Sequence, residues 1–346
     1  MVGSRLALAS LAGLAQNAGP MALLTRIDER AARDLLRAYG LEPETFVALE
    51  AGSVNSNFRF TTTDGRAFFA RVYEEQGRRG ALTELRLLQV LAQRGVPVAL
   101  PQPMTNGELV HEHEGKPFAV YPFVEGDILC QARVTAEACA EVGRALATVH
   151  STPVEGLGLG EGRFRFEDLE RRLVLVDSSG RAELVRAAAR IRELMRAYGP
   201  RRQTDLPGGL IHGDLFRDNV LFRGERLAAL LDFESASLGT FAYDLMVTVL
   251  AWCFGSELDV TLAGAMIRAY HEVRPLSDAE RRALAVEGAV ACVRFATTRL
   301  TDFSLRVPEG ATPKRSYRRF LDRLEALEAG ALAPILASLP STPPNH

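Results

Sequence analysis

Apolar and polar residues alternate through much of the segment from Phe46 to Phe123, and this alternation is typical of half-buried β-strands. The run FVALEAGSVNSNFRFTTTDGRAFFARVYEE contains two clusters of turn residues, Gly52–Asn57 and Asp64–Gly65. Further along, GELVHEHEGKPFAVYPFVEG predicts a hairpin that turns near Glu114–Gly115. The N-terminal part of the chain is therefore predicted to be rich in strands.

Two helices are predicted next to these strands. The segment ALTELRLLQVLAQRG repeats leucines at helical spacing and ends at Gly95, with Pro97 just beyond, which is a common signal for the end of a helix. An earlier segment, MALLTRIDERAARDLLRAYGL, predicts a helix whose apolar face carries Leu35, Leu36 and Tyr39.

The pattern changes after Gly126, where long segments rich in Ala, Leu and Arg predict helices, as in TAEACAEVGRALATVH. Only two polar, strand-like stretches interrupt them. At 346 residues the chain is long enough for two lobes. We therefore predict an α+β fold class, with a small antiparallel β-sheet lobe over residues 21–123 and a larger, mostly helical lobe over residues 124–346.

The first twenty residues, MVGSRLALASLAGLAQNAGP, imitate a secretory signal only weakly. Arg5 precedes a short apolar run, but Gly13 breaks this run, which is too short to span a bilayer. We expect residues 1–20 to be a disordered extension, or upstream sequence included by a misassigned start codon, with Met21 as the true start.

The composition is typical of a globular protein with a small-molecule partner. The chain is 47% hydrophobic and 24% charged, and its net charge of -2 provides no overall attraction to nucleic acid or to an anionic membrane. The four cysteines form no CxxC pair and no zinc-type cluster with histidine. This pattern favours free, mostly buried thiols in a reducing compartment, which we expect to be the cytoplasm.

Two polar segments in the C-terminal half carry the candidate chemistry. LIHGDLFRDNVLF places His212, Asp214 and Asn219 between apolar runs, and RLAALLDFESASLG ends an apolar run at Asp232. One interpretation is an ordinary turn. In the other, the segments are neighbouring strands joined around residues 223–226, and Asp214, Asn219 and Asp232 meet at one end. One carboxylate could then accept a proton from a hydroxyl, while the amide and the second carboxylate hold Mg²⁺ on the phosphates of ATP.

HGDLFRDN followed by LLDFE resembles the aminoglycoside-phosphotransferase-like kinases, which are relatives of the protein kinases. This resemblance implies a bilobal protein-kinase-like fold, ATP and Mg²⁺ as cofactors, Asp214 as the catalytic aspartate, and Asn219 and Asp232 as metal ligands. The five-residue step from Asp214 to Asn219 matches the catalytic loop of the protein kinases. The resemblance also implies that His212 braces the loop. We expect Asp244, in AYDL, to brace the loop or the following helix.

The same resemblance implies nucleotide-binding groups in the N-terminal lobe. EAGSVNSNFRF offers Gly52, Ser53 and Asn55 for contacts to phosphate, although a plain hairpin turn explains its composition equally well. FFARVYEE places Arg71 where the protein-kinase pattern has lysine, and arginine can still bring positive charge to the phosphates. Glu84, in LTELRLL, is the expected partner of Arg71, with a solvated helix charge as the alternative.

The segment AVYPFVEG is expected to be the hinge between the lobes. There, backbone groups of Tyr121 and Phe123 would bond the adenine of the nucleotide. An ordinary edge strand would have the same composition, so only the position of the segment favours a hinge.

Several segments, in the same order, also resemble the homoserine kinases of this superfamily, among them MALLTRIDERAARDLLRAYGL, DLFRDNVLF and RFATTRLTDFSLRV. This implies transfer of the γ-phosphoryl group to L-homoserine, a step of threonine biosynthesis. Those enzymes usually read HAD and DFYFA where this chain has HGD and DFESA. Homoserine is a zwitterion, so its pocket needs a cation and an anion or carbonyl. Arg299 and Asp302 are the candidates, with a structural ion pair as the alternative.

Two other functions are compatible with the motifs. One is a kinase of the same superfamily that phosphorylates an aminoglycoside, choline or a thiosugar, and the other is a nucleotide-binding module without turnover. The C-terminal segment offers no acidic cluster of the kind that a cationic antibiotic favours. Asp214, Asn219 and Asp232 are all present, which favours turnover. We predict a small-molecule substrate and ATP as partners, with no nucleic acid and no membrane, and we make no prediction of oligomeric state.

Overall fold

The structure is a computed structural model that describes residues 25–49, 54–162 and 164–339. The predictions for residues 1–20 and for Met21 lie outside the described residues. The chain divides into two compact units. The first contains the N-terminal part up to Leu129 together with Val154–Gly158 and Asp218–Glu234. The second contains Cys130–Pro153, Leu159–Arg217 and the part of the chain from Ser235 onward.

The first unit is built on a five-stranded antiparallel sheet with the strand order β1-β2-β3-β5-β4. Its strands are β1 (Pro43–Leu49), β2 (Ser56–Thr62), β3 (Ala67–Val72), β4 (His111–His113) and β5 (Lys116–Pro122). Its helices are α1 (Glu29–Arg37) and α2 (Arg78–Gln93). The predicted hairpin and both predicted helices are confirmed, and the apolar face of the first helix is buried at Leu35, Leu36 and Tyr39.

Aromatic residues on one face of this sheet form the core of the first unit. The rings of Phe60 and Phe68 stack with their centroids 5.2 Å apart, and Leu36 of α1 belongs to the same buried cluster. Burial of each such side chain stabilises the fold by on the order of 1.5–3 kcal/mol. Because side chains alternate along a strand, burial of Phe68 turns Phe69 and Arg71 to the opposite face of β3.

A hairpin from the C-terminal half of the chain also belongs to the first unit. Its strands are β7 (Val220–Arg223) and β8 (Arg226–Leu230), which pair as predicted. Phe222 exchanges two main-chain hydrogen bonds with Asp127, and the Leu230 N–H donates to the Pro97 carbonyl at 2.7 Å. These hydrogen bonds join the hairpin to the first unit, and backbone pairing between such distant segments leaves no pattern in the sequence.

The second unit is mostly helical. Its helices are α3 (Ala136–His150), α4 (Phe166–Asp177), α5 (Ala182–Tyr198), α6 (Phe241–Trp252), α7 (Val260–Val273), α8 (Asp278–Arg299), α9 (Arg318–Glu328) and α10 (Ala333–Ala337). A short antiparallel pair, β6 (Gly208–Ile211) and β9 (Ser237–Thr240), accompanies them. Helix α8 contacts α4, α5, α6 and α9, and a π-helical turn over Leu300–Ser304 continues it. This long helix is thus the centre of the second unit.

These elements confirm the predicted α+β class, since the first unit carries the sheet and the second carries most of the helices. Cys139, Cys253 and Cys292 are buried, Cys130 is exposed, and all four are free thiols, as predicted. Among the residues that the structure describes, no helix is long and apolar enough to cross a lipid bilayer.

Candidate active site

A cleft of about 260 Å³ lies within the first unit. Its walls are mainly apolar, with Leu49, Leu88, Ala99, Ile128, Leu221 and Phe233 among the lining residues. Six residues singled out from the sequence also line it, namely Arg71, Glu84, Tyr121, Phe123, Asn219 and Asp232. The cleft therefore combines a surface suited to a flat nucleobase with charged groups suited to phosphate.

Arg71 connects the acidic groups of this cleft. Its Nη1 atom lies 3.6 Å from Glu84 Oε1, the predicted partner, and 3.7 Å from Asp232 Oδ1. Its Nε–H donates to the side-chain oxygen of Asn57 at 3.2 Å. A guanidinium can hold several acceptors at once because its N–H groups point in fixed directions. The guanidinium therefore connects Asn57, Glu84 and Asp232, which all line the cleft.

The burial of these charges shifts their pKa values. Loss of water around Glu84 raises the pKa of its carboxyl from 4.5 to about 7, although Arg71 acts in the opposite direction. Burial lowers the pKa of Arg71, but attraction to Asp232 and Glu84 outweighs burial and raises it. The guanidinium therefore stays charged, whereas Glu84 changes its charge near neutral pH.

The hairpin β7–β8 brings Asn219 and Asp232 together at its open end. Asn219 directly precedes β7, Leu231 directly follows β8, and the Leu231 N–H donates to the Asn219 carbonyl at 2.9 Å. Asp232 has a φ of +64°, a left-handed conformation that is uncommon outside glycine and recurs at functional sites. Its Oδ1 atom is buried and has no hydrogen bond to any residue that the structure describes. A buried carboxylate oxygen of this kind suits a cation.

The other predicted nucleotide contacts have mixed outcomes. Gly52 and Ser53 lie outside the described residues. The side chain of Asn55 donates to Glu234 Oε2 at 2.9 Å and accepts from the Glu74 N–H at 3.1 Å, so it holds the local loop.

The predicted hinge segment lies along β5. The Tyr121 hydroxyl bonds to that of Tyr73 at 2.6 Å. The N–H of Phe123 donates to the Ala67 carbonyl at 3.0 Å. This N–H is therefore already used in sheet pairing. It is not available to bond the adenine of the nucleotide.

In the second unit, Asp244 holds the loop that follows β6. Its carboxylate accepts hydrogen bonds from the backbone N–H groups of His212 at 2.7 Å and Gly213 at 2.8 Å. The Asp214 N–H in turn donates to His212 Nδ1 at 3.3 Å, and Trp252 donates its indole N–H to the Leu215 carbonyl at 3.1 Å. These are the contacts that a bracing role for His212 and Asp244 requires.

His150, at the end of α3, contacts Asp244 and holds it in place. It was not predicted from the sequence as a residue of the site. Its Nε2 atom is 3.0 Å from Asp244 Oδ2, and its Nδ1 atom is 2.6 Å from the Tyr270 hydroxyl. Burial lowers the pKa of His150, while the pKa of Asp244 is lowered because bonding and attraction to His150 outweigh burial. An ionised Asp244 therefore accepts from a neutral His150. The sequence signal for His150 is its position on the apolar face of a predicted helix, where a polar side chain needs a buried partner.

Arg294, on α8, is a second residue that the sequence analysis did not select. It is buried, and its guanidinium packs 4.2 Å from the Phe164 ring centroid and 3.9 Å from that of Phe295. Its Nη1 atom donates to the Gly213 carbonyl at 2.6 Å and lies 3.6 Å from Asp214 Oδ1. A buried arginine with these two contacts fixes the position of the loop and of its carboxylate.

Arg299 and Asp302, which were predicted to bind the acceptor, contact different parts of the second unit. Arg299 packs over the Phe320 ring at 4.4 Å, with Nη1 3.4 Å from the Ser316 carbonyl. Asp302 lies in the π-helical turn and pairs with Arg172 at 2.9 Å. The change from α- to π-helix after Arg299 alters the direction in which the following side chains project.

Comparison with known proteins points to one family. Residues 45–285 match the family described as phosphotransferase enzyme family. A homoserine kinase of Methylobacterium radiotolerans is 37% identical over 314 residues, which cover 88% of this chain and 94% of that protein. A homoserine kinase of Agrobacterium fabrum is 37% identical over 303 residues, which cover 84% of this chain and 90% of that protein.

Solved structures share the fold at lower identity. A spectinomycin phosphotransferase in complex with ADP and spectinomycin has a TM-score of 0.64 and 16% identity, covering 89% of this chain and 99% of that one. An amicoumacin kinase in complex with AMP-PNP, Ca²⁺ and Ami has a TM-score of 0.65 and 19% identity, covering 92% and 96%. This likeness confirms the predicted protein-kinase-like fold class.

Proposed function

Because the chain belongs to the phosphotransferase enzyme family, we propose that it transfers the γ-phosphoryl group of ATP to the side-chain hydroxyl of L-homoserine. The chain is an ATP-dependent phosphotransferase with an alcohol as acceptor, and its relatives named homoserine kinase support this particular alcohol. The solved antibiotic kinases share the fold alone and favour no acceptor. Since ATP is the donor, we place the reaction in the cytoplasm.

The observation that carries this proposal is the presence of Arg71, Asn219 and Asp232 in one cleft of the first unit. Arg71 is charged and offers N–H donors that match phosphate oxygens. The apolar walls would take the adenine ring. Glu84 would hold the guanidinium in place while the nucleotide binds, as the ion pair of kinases does.

Mg²⁺ is part of the proposal, and the donor set fits it. Mg²⁺ is commonly held by one or two carboxylates together with substrate phosphates. It therefore does not need a cluster of three acidic, histidine or cysteine side chains, and none occurs among the residues that the structure describes. Asp232 would contribute its buried Oδ1 atom, and Asn219 its amide oxygen. When bound, the ion would neutralise charge on the phosphates during transfer.

Asp214 would act as the catalytic base. The acceptor oxygen forms a bond to the γ-phosphorus, the bond to the bridging oxygen breaks, ADP leaves, and the hydroxyl proton passes to Asp214. Asp244, Trp252 and Arg294 hold the backbone of this loop, so little reorganisation is needed during the reaction.

An acceptor panel tests this function. ADP release would be measured with L-homoserine, L-serine, choline and an aminoglycoside, and the product would be identified by mass spectrometry. We expect Asp214→Asn to lower kcat by about 10²–10⁴-fold with little change in the KM for ATP. The control is Asp205→Asn, at an exposed aspartate before β6. Folded protein that releases no ADP with homoserine would rule out this acceptor, and release with another acceptor would leave the kinase activity standing.

A further inference from the structure

The ends of the acceptor that do not react also need partners, and this inference rests on the proposed function. L-homoserine carries a carboxylate and an ammonium group beside the reactive hydroxyl. A site that binds it tightly needs an opposite charge for each of them, since a buried charge without a partner is costly. The second unit contains an arrangement of this kind near the catalytic loop.

Arg172 and Asp302 form this arrangement. The Nη1 atom of Arg172, on α4, lies 2.9 Å from Asp302 Oδ1 and donates to the Thr301 hydroxyl at 3.3 Å. The side chains of Arg172 and Asp302 are 35% and 34% exposed, so both groups can be reached by a ligand. Asp302 and Thr301 lie in the π-helical turn that follows α8. Such turns are rare in proteins overall, and those that occur are often found at functional sites.

The Phe164 ring and Arg294 connect this pair to the catalytic carboxylate. The guanidinium carbon of Arg172 lies 5.6 Å from the Phe164 ring centroid, and that of Arg294 lies 4.2 Å from the same centroid. Arg294 in turn is 3.6 Å from Asp214 Oδ1. The ion pair and the catalytic loop are therefore parts of one continuous cluster in the second unit.

We propose that Arg172 binds the α-carboxylate of the acceptor and that Asp302 binds its ammonium group. A zwitterion that inserts between the two side chains gives each of them a new partner of opposite charge. The planar guanidinium can bind a carboxylate through two parallel N–H groups. Opening the existing pair costs little, because solvent screens the attraction between partly exposed charges. In this arrangement Arg172, rather than Arg299, is the cation that faces the acceptor carboxylate.

The competing explanation is that the pair only links α4 to the π-helical turn. That role would affect stability but not the recognition of the acceptor. Arg192 provides a matched control, because it also binds α4, through Glu170 at 2.8 Å and Asp177 at 2.7 Å. Arg192→Met removes a comparable ion pair from the same helix.

Steady-state kinetics of Arg172→Met, Asp302→Asn and Arg192→Met test the proposal. We expect the first two to raise the KM for homoserine by about 10–100-fold, the range for charge-assisted hydrogen bonds, and to leave the KM for ATP unchanged. Arg192→Met should leave both values unchanged. Melting temperatures of all three variants would show whether any of them loses stability.

Acceptor analogues locate the two contacts. One analogue, 3-aminopropan-1-ol, lacks the carboxylate. In Arg172→Met, the ratio of kcat/KM for homoserine to kcat/KM for this analogue should fall by the same factor as the KM for homoserine rises. The preference for homoserine over 4-hydroxybutanoate, which lacks the ammonium group, should fall in Asp302→Asn. Unchanged preferences in folded variants would overturn the site while the wild type still phosphorylates homoserine. A wild type that does not phosphorylate homoserine would overturn both this inference and the proposed function.

Discussion

Replacing Glu84 by glutamine should make the protein more stable above neutral pH and at the same time less active. Glu84 is buried beside Arg71, and its second carboxylate oxygen, Oε2, has no hydrogen bond to any described residue. Glutamine keeps the size of the side chain and removes the charge. The change therefore separates the cost of burying this carboxylate from its use in holding Arg71.

The magnitude follows from the pKa of Glu84, which burial raises from 4.5 to about 7. Because the folded value lies above the unfolded one, the folded protein keeps a proton that the unfolded chain releases between these pH values. Stability therefore falls as the pH rises through this window. At ~1.4 kcal/mol for each pKa unit, the full loss is about 3 kcal/mol, and most of it occurs between pH 5 and pH 8.

Urea unfolding without nucleotide, followed by far-ultraviolet circular dichroism at pH 5, 6, 7 and 8, measures this loss. The unfolding free energy of Glu84→Gln should rise relative to wild type by about 2–3 kcal/mol across the series. Glu74→Gln is the control, because bonding to Lys116 outweighs burial and keeps the pKa of Glu74 below its usual value. Its difference from wild type should stay constant. Parallel curves for wild type and Glu84→Gln would refute the reasoning.

Three further predictions concern the metal ligand and the catalytic loop. Asp232→Asn should raise the Mg²⁺ concentration needed for half-maximal turnover by at least about tenfold, which is the effect of losing a group that only supports a metal ligand. A Mg²⁺ titration of chelator-treated enzyme measures this concentration. Gly213→Ala should lower stability by about 1–2 kcal/mol in thermal unfolding. The φ of Gly213 is +77°, and an added Cβ would lie 3.0 Å from the Ser235 carbonyl. Gly224→Ala, with a φ of +63° and open space, should cost less, and equal losses would contradict the steric argument. Asp244→Asn should cost about 3–5 kcal/mol in urea unfolding and also reduce kcat, because it leaves the loop amides without a charged acceptor.

The sequence by itself determined the elements and the reaction class. Periodicity along the chain decides which side chains share a face, so the strands, the helices and the hairpin β7–β8 could be predicted from alternation and turn residues. The five-residue step from Asp214 to Asn219 and the aspartate after β8 are local features as well. The pairing of Arg71 with Glu84 was implied by the resemblance to the kinases, whose pattern has a cationic residue on a strand and a glutamate on the following helix.

Only the tertiary structure decided which distant groups meet. The ion pair of Arg172 with Asp302 joins α4 to a turn 130 residues later, and the contact of Arg294 with the Gly213 carbonyl spans 81 residues. Spacing along a helix defines a face but not the element that this face will meet. The same reason explains why the hairpin after Asn219 joined the first unit, since that choice depends on backbone pairing with Asp127 and Pro97.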